Sequence, residues 1–425
     1  MRVEECLPIL ASLVYCARAG LPVSLEDFRN NFNRGVMKAA PERLRPNIPI
    51  VMITSKPVPV DLTIRRESLD LAFIMDTTGS MSSYIETARR NIQRVVDEVS
   101  TDSNKDIKFA LVEYRDHPPQ DHTYVFRKHD FTPLVSTMKS WLDASQASGG
   151  GDTPEAVADA LHAGNSLSWR PNAVKIAVLV ADAPPHGLDP PLDRSFPGGS
   201  PNGHDPIDMA HKFAKLGVKL YSVGCEPSIS PYKDFFMAMA YIAGGQYIPL
   251  TDPQKLIDAI IGGAREEMSL SKFSQDVQNE VQKVIASGAQ PNKDAITQSV
   301  FKRLSDSGAQ TTQLLRNNQP LEGPSAGALA IAATTSLADA RNVFTKGSSA
   351  GSTGGTLTRK LSPIGGRISA FDKMASRPSM RIADAPILHS ATGGGVGGEA
   401  FTAVERSISM DQVARMVNMA VAAAV

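Results

Sequence analysis

At 425 residues the chain exceeds the usual allotment of roughly 100 to 200 residues per domain, so it holds one large domain with extensions or two or three small ones. Basic and acidic residues cancel at 44 each, which excludes recruitment of nucleic acid or an anionic membrane by a global field and leaves partner choice to a local site. The three cysteines, Cys6, Cys16 and Cys225, cannot build a disulfide framework, so a reducing compartment, the cytoplasm, is expected.

The first 20 residues carry an apolar stretch from Leu7 to Tyr15. Glu4 and Glu5 stand where a signal peptide needs positive charge, so a packed helix is expected there rather than a signal. No stretch approaches the 18 or more apolar residues of a membrane span, and no transmembrane segment is expected. Residues 1–65 otherwise show weak patterning and are read as an N-terminal extension of unclear fold.

From Leu69 the pattern becomes regular. "LDLAFIMD" is a short apolar run ending in Asp76, followed by Gly79 and by Ile85, Ile92, Val95, Val96 and Val99 at helical spacing: strand, turn, helix. "IKFALVEY" is a second strand, and "TYVF" after the loop "RDHPPQDH" is a third, antiparallel to it. Thr132 and Pro133 are expected to open a helix, and Thr153 and Pro154 another, each as hydroxyl cap and first-turn proline. "AVKIAVLVAD", apolar nearly throughout, reads as a central parallel strand. A long loop follows, then the helix "IDMAHKFAKLG", the strand "VKLYSVGC", the helix "YKDFFMAMAYIAGG", the short strand "QYIPL" and a helix over 253–268. Strands alternating with helices predict an α/β fold: a doubly wound, mostly parallel six-stranded sheet of Rossmann-like type with one antiparallel edge strand, over 66–268.

Beyond it, 269–317 is expected to be a helical extension, with helices near 270–287 and 291–316. The Gly-, Ser- and Ala-rich stretch 318–400 is expected to be a disordered linker, having few large apolar residues to offset the entropy of ordering. Residues 401–425 are expected to form an amphipathic helix opened by a capping box, Ser409 to Gln412, and docked on its own domain or on a partner.

In a sheet of order 3-2-1-4-5-6, the strands ending in Asp76 and Asp182 are neighbours at the point where the winding reverses, where such folds bind ligands. Thr78 and Ser80 lie on the turn after Asp76, and Thr153 lies on a glycine-rich loop poised to approach the same point. Two carboxylates and three hydroxyls, without His or Cys, make a hard-cation site suited to Mg²⁺, with Mn²⁺ as substitute. Neutral hydroxyls under-neutralise such an ion, leaving a position that favours a partner's Asp or Glu; a unit charge pair 4 Å apart gains roughly 4 kcal/mol at an effective dielectric of 20.

The segment from about Asp70 to Ala264 resembles a von Willebrand factor type A domain, and "MDTTGSM", "GGGDTPEA" and "VLVADAP" resemble its metal-ion-dependent adhesion site. The resemblance implies Asp76, Thr78 and Ser80 as ligands from the first motif, Thr153 as the loop hydroxyl and Asp182 as the second carboxylate. "IMDTTGSM" with "YRDHPP" looks most like the intracellular eukaryotic subgroup that includes the domains of alpha-kinases; the domain carries over and the kinase does not. The expected function is non-enzymatic, Mg²⁺-dependent binding of a protein partner, with no nucleic acid. The alternatives are a metal-dependent enzyme acting on a phosphorylated substrate and a scaffold that binds no metal. Asp116, His117, His122 and His129 in the hairpin region, and His186, Asp189, His204 and Asp205 in the long loop, are lesser candidates for a second metal site.

Overall fold

A computed structural model describes residues 67–99, 106–347 and 398–424. The N-terminal extension 1–65, with its expected helix, and most of the expected linker lie outside the described residues.

The first strand, β1 (Ser68–Asp76), is buried from Leu69 onward on both faces, as its unbroken apolar run requires. It pairs in parallel with β2 (Asp106–Tyr114) on one side and β4 (Val174–Ala181) on the other. With β3 (Phe126–Thr132), β5 (Val218–Cys225) and β6 (Tyr247–Leu250) it forms a six-stranded sheet of order β3-β2-β1-β4-β5-β6, in which only β3 runs antiparallel. The doubly wound α/β fold expected from the sequence is therefore the one formed.

One face of the sheet packs against α1 (Ser82–Val99), α2 (Val135–Ala144) and α6 (Leu256–Ser271), through residues such as Ile85, Ile92, Leu142 and Ile257. The other packs against α3 (Val157–Asn165), α4 (Pro206–Lys215) and α5 (Lys233–Ile242), through Leu161, Phe213 and Phe236. Full burial of each such side chain is worth about 1.5–3 kcal/mol. Gly164 permits the close approach of α3, since a Cβ there would stand 2.6 Å from the Cδ1 of Ile74.

Three local expectations are not met, two because of short-range turns and one because of tertiary contacts. The third strand begins at Phe126 rather than Thr123, because Asp121 turns the chain there, its carboxylate accepting from both the backbone and the hydroxyl of Thr123. Thr132 caps nothing: its hydroxyl accepts from Leu134 N and α2 starts at Val135. Nor does Thr153 cap α3, which starts at Val157, because Glu155 N donates to Pro184 O and Ala156 N to Arg115 O. Residues 155–156 are thus spent on joining strand ends.

The C-terminal third departs further from expectation. Helices α7 (Ser274–Ala286) and α8 (Lys293–Asp306) form as read, but residues 310–316, expected to be helical, are a strand. That strand, β7 (Gln310–Arg316), lies between β8 (Gln319–Pro320) and β9 (Phe401–Ser407) in a separate antiparallel sheet. Its partner β9 falls within a segment expected to be purely helical; the pairing joins positions too distant in sequence for local pattern to reveal. Within the stretch expected to be disordered, α9 (Ala326–Ala332) and α10 (Leu337–Val343) form, capped by Ser325 and Ser336. Their Ala328, Ile331, Leu337 and Ala340 join the core, α9 beside α5 and α10 beside α4. Small residues sufficed because the helices sit close, Gly327 lying against Asp234.

The last helix, α11 (Met410–Ala424), docks on its own chain, packing Val413 and Val417 with Val277, Val281, Ile296 and Val300. Its capping box is reciprocal: Gln412 N donates to Ser409 Oγ at 3.2 Å and Ser409 N to Gln412 Oε1 at 3.1 Å.

Candidate metal centre

Asp76, at the carboxyl end of β1, is fully buried. Its Oδ1 accepts from Thr78 N at 2.8 Å and Thr78 Oγ1 at 2.6 Å, and Thr78 Oγ1 stands 3.4 Å from Ser80 Oγ. Its Oδ2 is buried and has no hydrogen-bond partner. Thr78 is buried and Ser80 exposed, so the first motif runs from the sheet interior to solvent within five residues.

The glycine-rich loop is fastened to this turn by its backbone. Ser148 N donates to Thr77 O at 3.1 Å, and Gly79 N to Gly149 O at 3.3 Å. Gly149 and Gly150 have φ of 80° and 79°, a region that favours glycine. At Gly149 a Cβ would also collide with the Asp121 carboxylate.

Asp182 is half-buried, one residue beyond β4. Because Met75 is in register with Val180, it follows Asp76 by one position on the adjoining strand. Burial pushes the Asp76 carboxyl up to about 7, and the negative charge of Asp182 adds to that, against the lowering effect of the Thr78 bonds.

The fold thus gathers Asp76, Thr78, Ser80 and Asp182 at the carboxyl ends of β1 and β4. Thr153, like Ser80, is exposed, on the loop whose Gly149 is bonded to Gly79, and it makes no hydrogen bond among the described residues. The loop residue directed inward is Glu155, only 4% exposed, with Oε2 buried and unpartnered. Burial, followed by the charges of Asp76, Asp116, Asp182 and Asp152, pushes its carboxyl up to about 11. Burial also raises Asp152, as does the neighbouring Asp116, with the Ser195 hydrogen bond opposing. Asp152 and Glu155 were not among the expected site residues, although both lie inside "GGGDTPEA". A loop carboxylate leaves no local mark showing that it points inward.

The His and Asp candidates for a second metal are absorbed by the framework. His186 lies between two carboxylates, Nε2 2.6 Å from Asp116 Oδ1 and Nδ1 3.1 Å from Asp193 Oδ2. Burial disfavours its charged form, yet the hydrogen bond to Asp116 and the charges of Asp116 and Asp193 outweigh this and raise its pKa. His117 Nε2 is 3.0 Å from Asp159 Oδ2, and Asp205 caps α4. His129 stacks on Trp141, His204 on His162, and Lys346 pairs with Asp189. His122 is exposed.

Among the described residues no three His, Cys, Asp or Glu side chains converge as ligands of one ion. Oxygen donors from a buried carboxylate, a half-buried carboxylate and two hydroxyls nonetheless fit a hard cation that keeps several waters. The uncompensated carboxylate charge around Asp76 is the feature such a cation would neutralise.

Residues 70–188 match the family model described as von Willebrand factor A domain. This segment is a von Willebrand factor A domain. Such domains are generally protein-interaction modules. Among curated proteins, the chain is 33% identical over 162 residues to the alpha-protein kinase vwkA of Dictyostelium discoideum, covering 36% of this chain and 25% of that protein. It is 28% identical over 198 residues to the putative ariadne-like RING finger protein R811 of Acanthamoeba polyphaga mimivirus, covering 44% and 19%. The chain therefore spans a quarter or less of the length of either relative. Among solved structures, proximal thread matrix protein 1 from the mussel byssus aligns with TM-score 0.33 and 16% identity, covering 46% of this chain and 44% of that one. The pilus adhesin SpaC of Lactobacillus rhamnosus GG aligns with TM-score 0.35 and 10% identity, covering 48% and 31%. No helix among the described residues is long and apolar enough to cross a membrane.

Proposed function

We propose that the von Willebrand factor A domain of this chain is a non-enzymatic, metal-dependent docking module of the cytoplasm. Asp76, Thr78, Ser80 and Asp182 would hold Mg²⁺ or Mn²⁺, with Thr153 the remaining candidate hydroxyl. The bound ion would supply an electrophilic position for a carboxylate oxygen from an Asp or Glu of a protein partner. The observation that carries this reading is Asp76 Oδ2, a carboxylate oxygen buried without a partner in a region already too negative for it.

The residues have separable tasks. Asp76, anchored through its Oδ1, fixes the Thr78 hydroxyl and leaves Oδ2 free. Ser80 brings a donor oxygen to the exposed side, and Asp182 supplies the second charge from the next strand. A nucleophilic role for Asp76 has less support, because the residue is fully enclosed and Thr78 occupies the place where a second acid would serve as proton donor.

The test is capture of partners by the full chain in millimolar Mg²⁺ and in EDTA, read by mass spectrometry and repeated with Asp76→Ala. A partner retained by wild type in Mg²⁺, and lost both in EDTA and by the variant, supports the reading. Equal retention by wild type and Asp76→Ala sinks it.

A further inference from the structure

We infer that the outer edge of β9 is a self-association surface, to which a second copy of this chain adds its own β9, antiparallel, about a two-fold axis at Val404.

The main chain of β9 has one free side. At the two ends of its pairing with β7, Asn317 N donates to Ala400 O at 2.8 Å and Ile408 N to Ala309 O at 3.0 Å. The register between them is unbroken. Main-chain groups of successive residues point to opposite sides of an antiparallel strand, so Thr402, Val404 and Arg406 bond to β7. The N–H and C=O groups of Phe401, Ala403, Glu405 and Ser407 point away from it, and none is bonded among the described residues.

The opposite edge of the same small sheet is covered. There Leu314 N donates to Glu266, Thr312 N to Ser269 Oγ, and Gln412 to Thr312 O, while β8 pairs with Leu315 and Arg316. An open edge is a template for another strand unless a proline, a lysine or a bulge blunts it. The β9 sequence, FTAVERS, has no proline or lysine, and its pairing shows no bulge.

The strand that fits this edge is its own copy. A two-fold axis sets β9 antiparallel to itself. In the register that overlaps the strand over its full length, Val404 faces its counterpart, Ala403 faces the copy's Glu405, Thr402 its Arg406 and Phe401 its Ser407. Every outward N–H then meets an outward C=O, and no charge opposes its like. Sliding by one hydrogen-bonding step in one direction sets Glu405 directly against its counterpart, which is destabilising; sliding in the other leaves Ser407 beyond the paired strand. Val404 is 38% exposed and stands at a non-hydrogen-bonded position, where opposed side chains approach most closely. Pairing covers it. A seven-residue strand pair is small beside the roughly 1,200–2,000 Å² of stable interfaces, so the dimer is weak and concentration-dependent.

The experiment is sedimentation equilibrium of the full chain over a range of concentrations, for wild type and Ala403→Pro, with diamide cross-linking of Val404→Cys and Thr402→Cys. Proline at 403 removes only an outward donor, because the Ala403 N–H does not serve β7. The expected result is a wild-type mass that rises to twice that of one chain, and an Ala403→Pro mass that stays at one. Val404→Cys should form a covalent dimer above the wild-type background, since opposed residues at such a position lie within disulfide reach. Thr402→Cys should not, because it stands opposite Arg406 of the copy. A wild-type chain that keeps a single mass at every concentration overturns the inference and leaves the edge to an extended segment of another protein. A dimer that survives Ala403→Pro overturns it too. Should Ala403→Pro lower the melting temperature, the cysteine variants decide: cross-linking at 404 well above 402 upholds the pairing, and equal cross-linking overturns it.

Discussion

Arg415, on the last helix, places its Nη2 2.7 Å from Glu266 Oε1 and its Nη1 2.5 Å from Glu267 Oε1, both on α6 beneath the sheet. All three residues are buried. Tyr221 of β5 donates to Glu267 at 2.8 Å, and Gln412 donates to Glu266 at 2.9 Å. The C-terminal helix is thus tied by charge to the central domain. Removing one partner of a buried pair leaves an uncompensated charge, so Arg415→Ala should cost about 3–5 kcal/mol. Urea unfolding of the full chain measures this, and a loss below about 1 kcal/mol would mean that the helix is held by its apolar face alone.

The capping box at the start of that helix separates two effects. Ser409→Ala should cost about 1 kcal/mol, the usual worth of a cap. Gln412→Ala should cost more, because its amide also donates to the buried Glu266 and to Thr312 O; a stranded buried acceptor adds about 1–3 kcal/mol. Paired thermal melts check the order of the two variants.

The Asp116–His186–Asp193 chain predicts a pH signature. A raised folded pKa means that the native state holds a proton on His186 which the unfolded chain has released. The resulting stabilisation is complete below the ordinary histidine value of about 6.5 and is lost as pH rises through the higher folded value. The difference in unfolding free energy between wild type and His186→Asn should therefore be largest near pH 5, at about 3–5 kcal/mol for a broken buried pair, and should shrink toward pH 8. A difference that is flat or grows with pH would show a neutral imidazole in the folded state.

Gly245 lies where α5 hands over to β6. A Cβ there would stand 2.0 Å from the carbonyl oxygen of Leu220, which is backbone and cannot turn aside. Gly245→Ala should destabilise the chain by at least about 1–3 kcal/mol, read as a lowered melting temperature. Gly203→Ala makes a useful contrast: nothing lies within 4 Å of its Cβ, so its cost reflects only its positive φ of 76°.

Much of the fold was legible because strands and helices here obey their own periods. The apolar runs Leu69–Met75 and Ile176–Ala181 could only be central strands. Their alternation with helices dictated a doubly wound sheet and set the ends of β1 and β4 side by side. The capping box at Ser409 was legible for the same reason, since its partners are three residues apart.

What local pattern could not contain was any contact between distant segments. Strand β7 exists because Phe401–Ser407 returns to pair with it. Helix α9 is ordered by burial against α5, and α10 against α9 and α4, although their alanines and glycines alone look too poor for a core. Which loop side chain is buried was decided in the same way. In isolation Thr153 and Pro154 are good helix-start residues. Once Glu155 and Ala156 are bonded to Pro184 and Arg115, the helix begins later and the acid is carried inward. The sequence by itself determined the element types and the place of Asp76 and Asp182, because hydrophobic periodicity acts over neighbouring residues. Only the tertiary structure decided which residue of the glycine-rich loop is turned into the protein, because that depends on backbone hydrogen bonds between strand ends far apart in the chain.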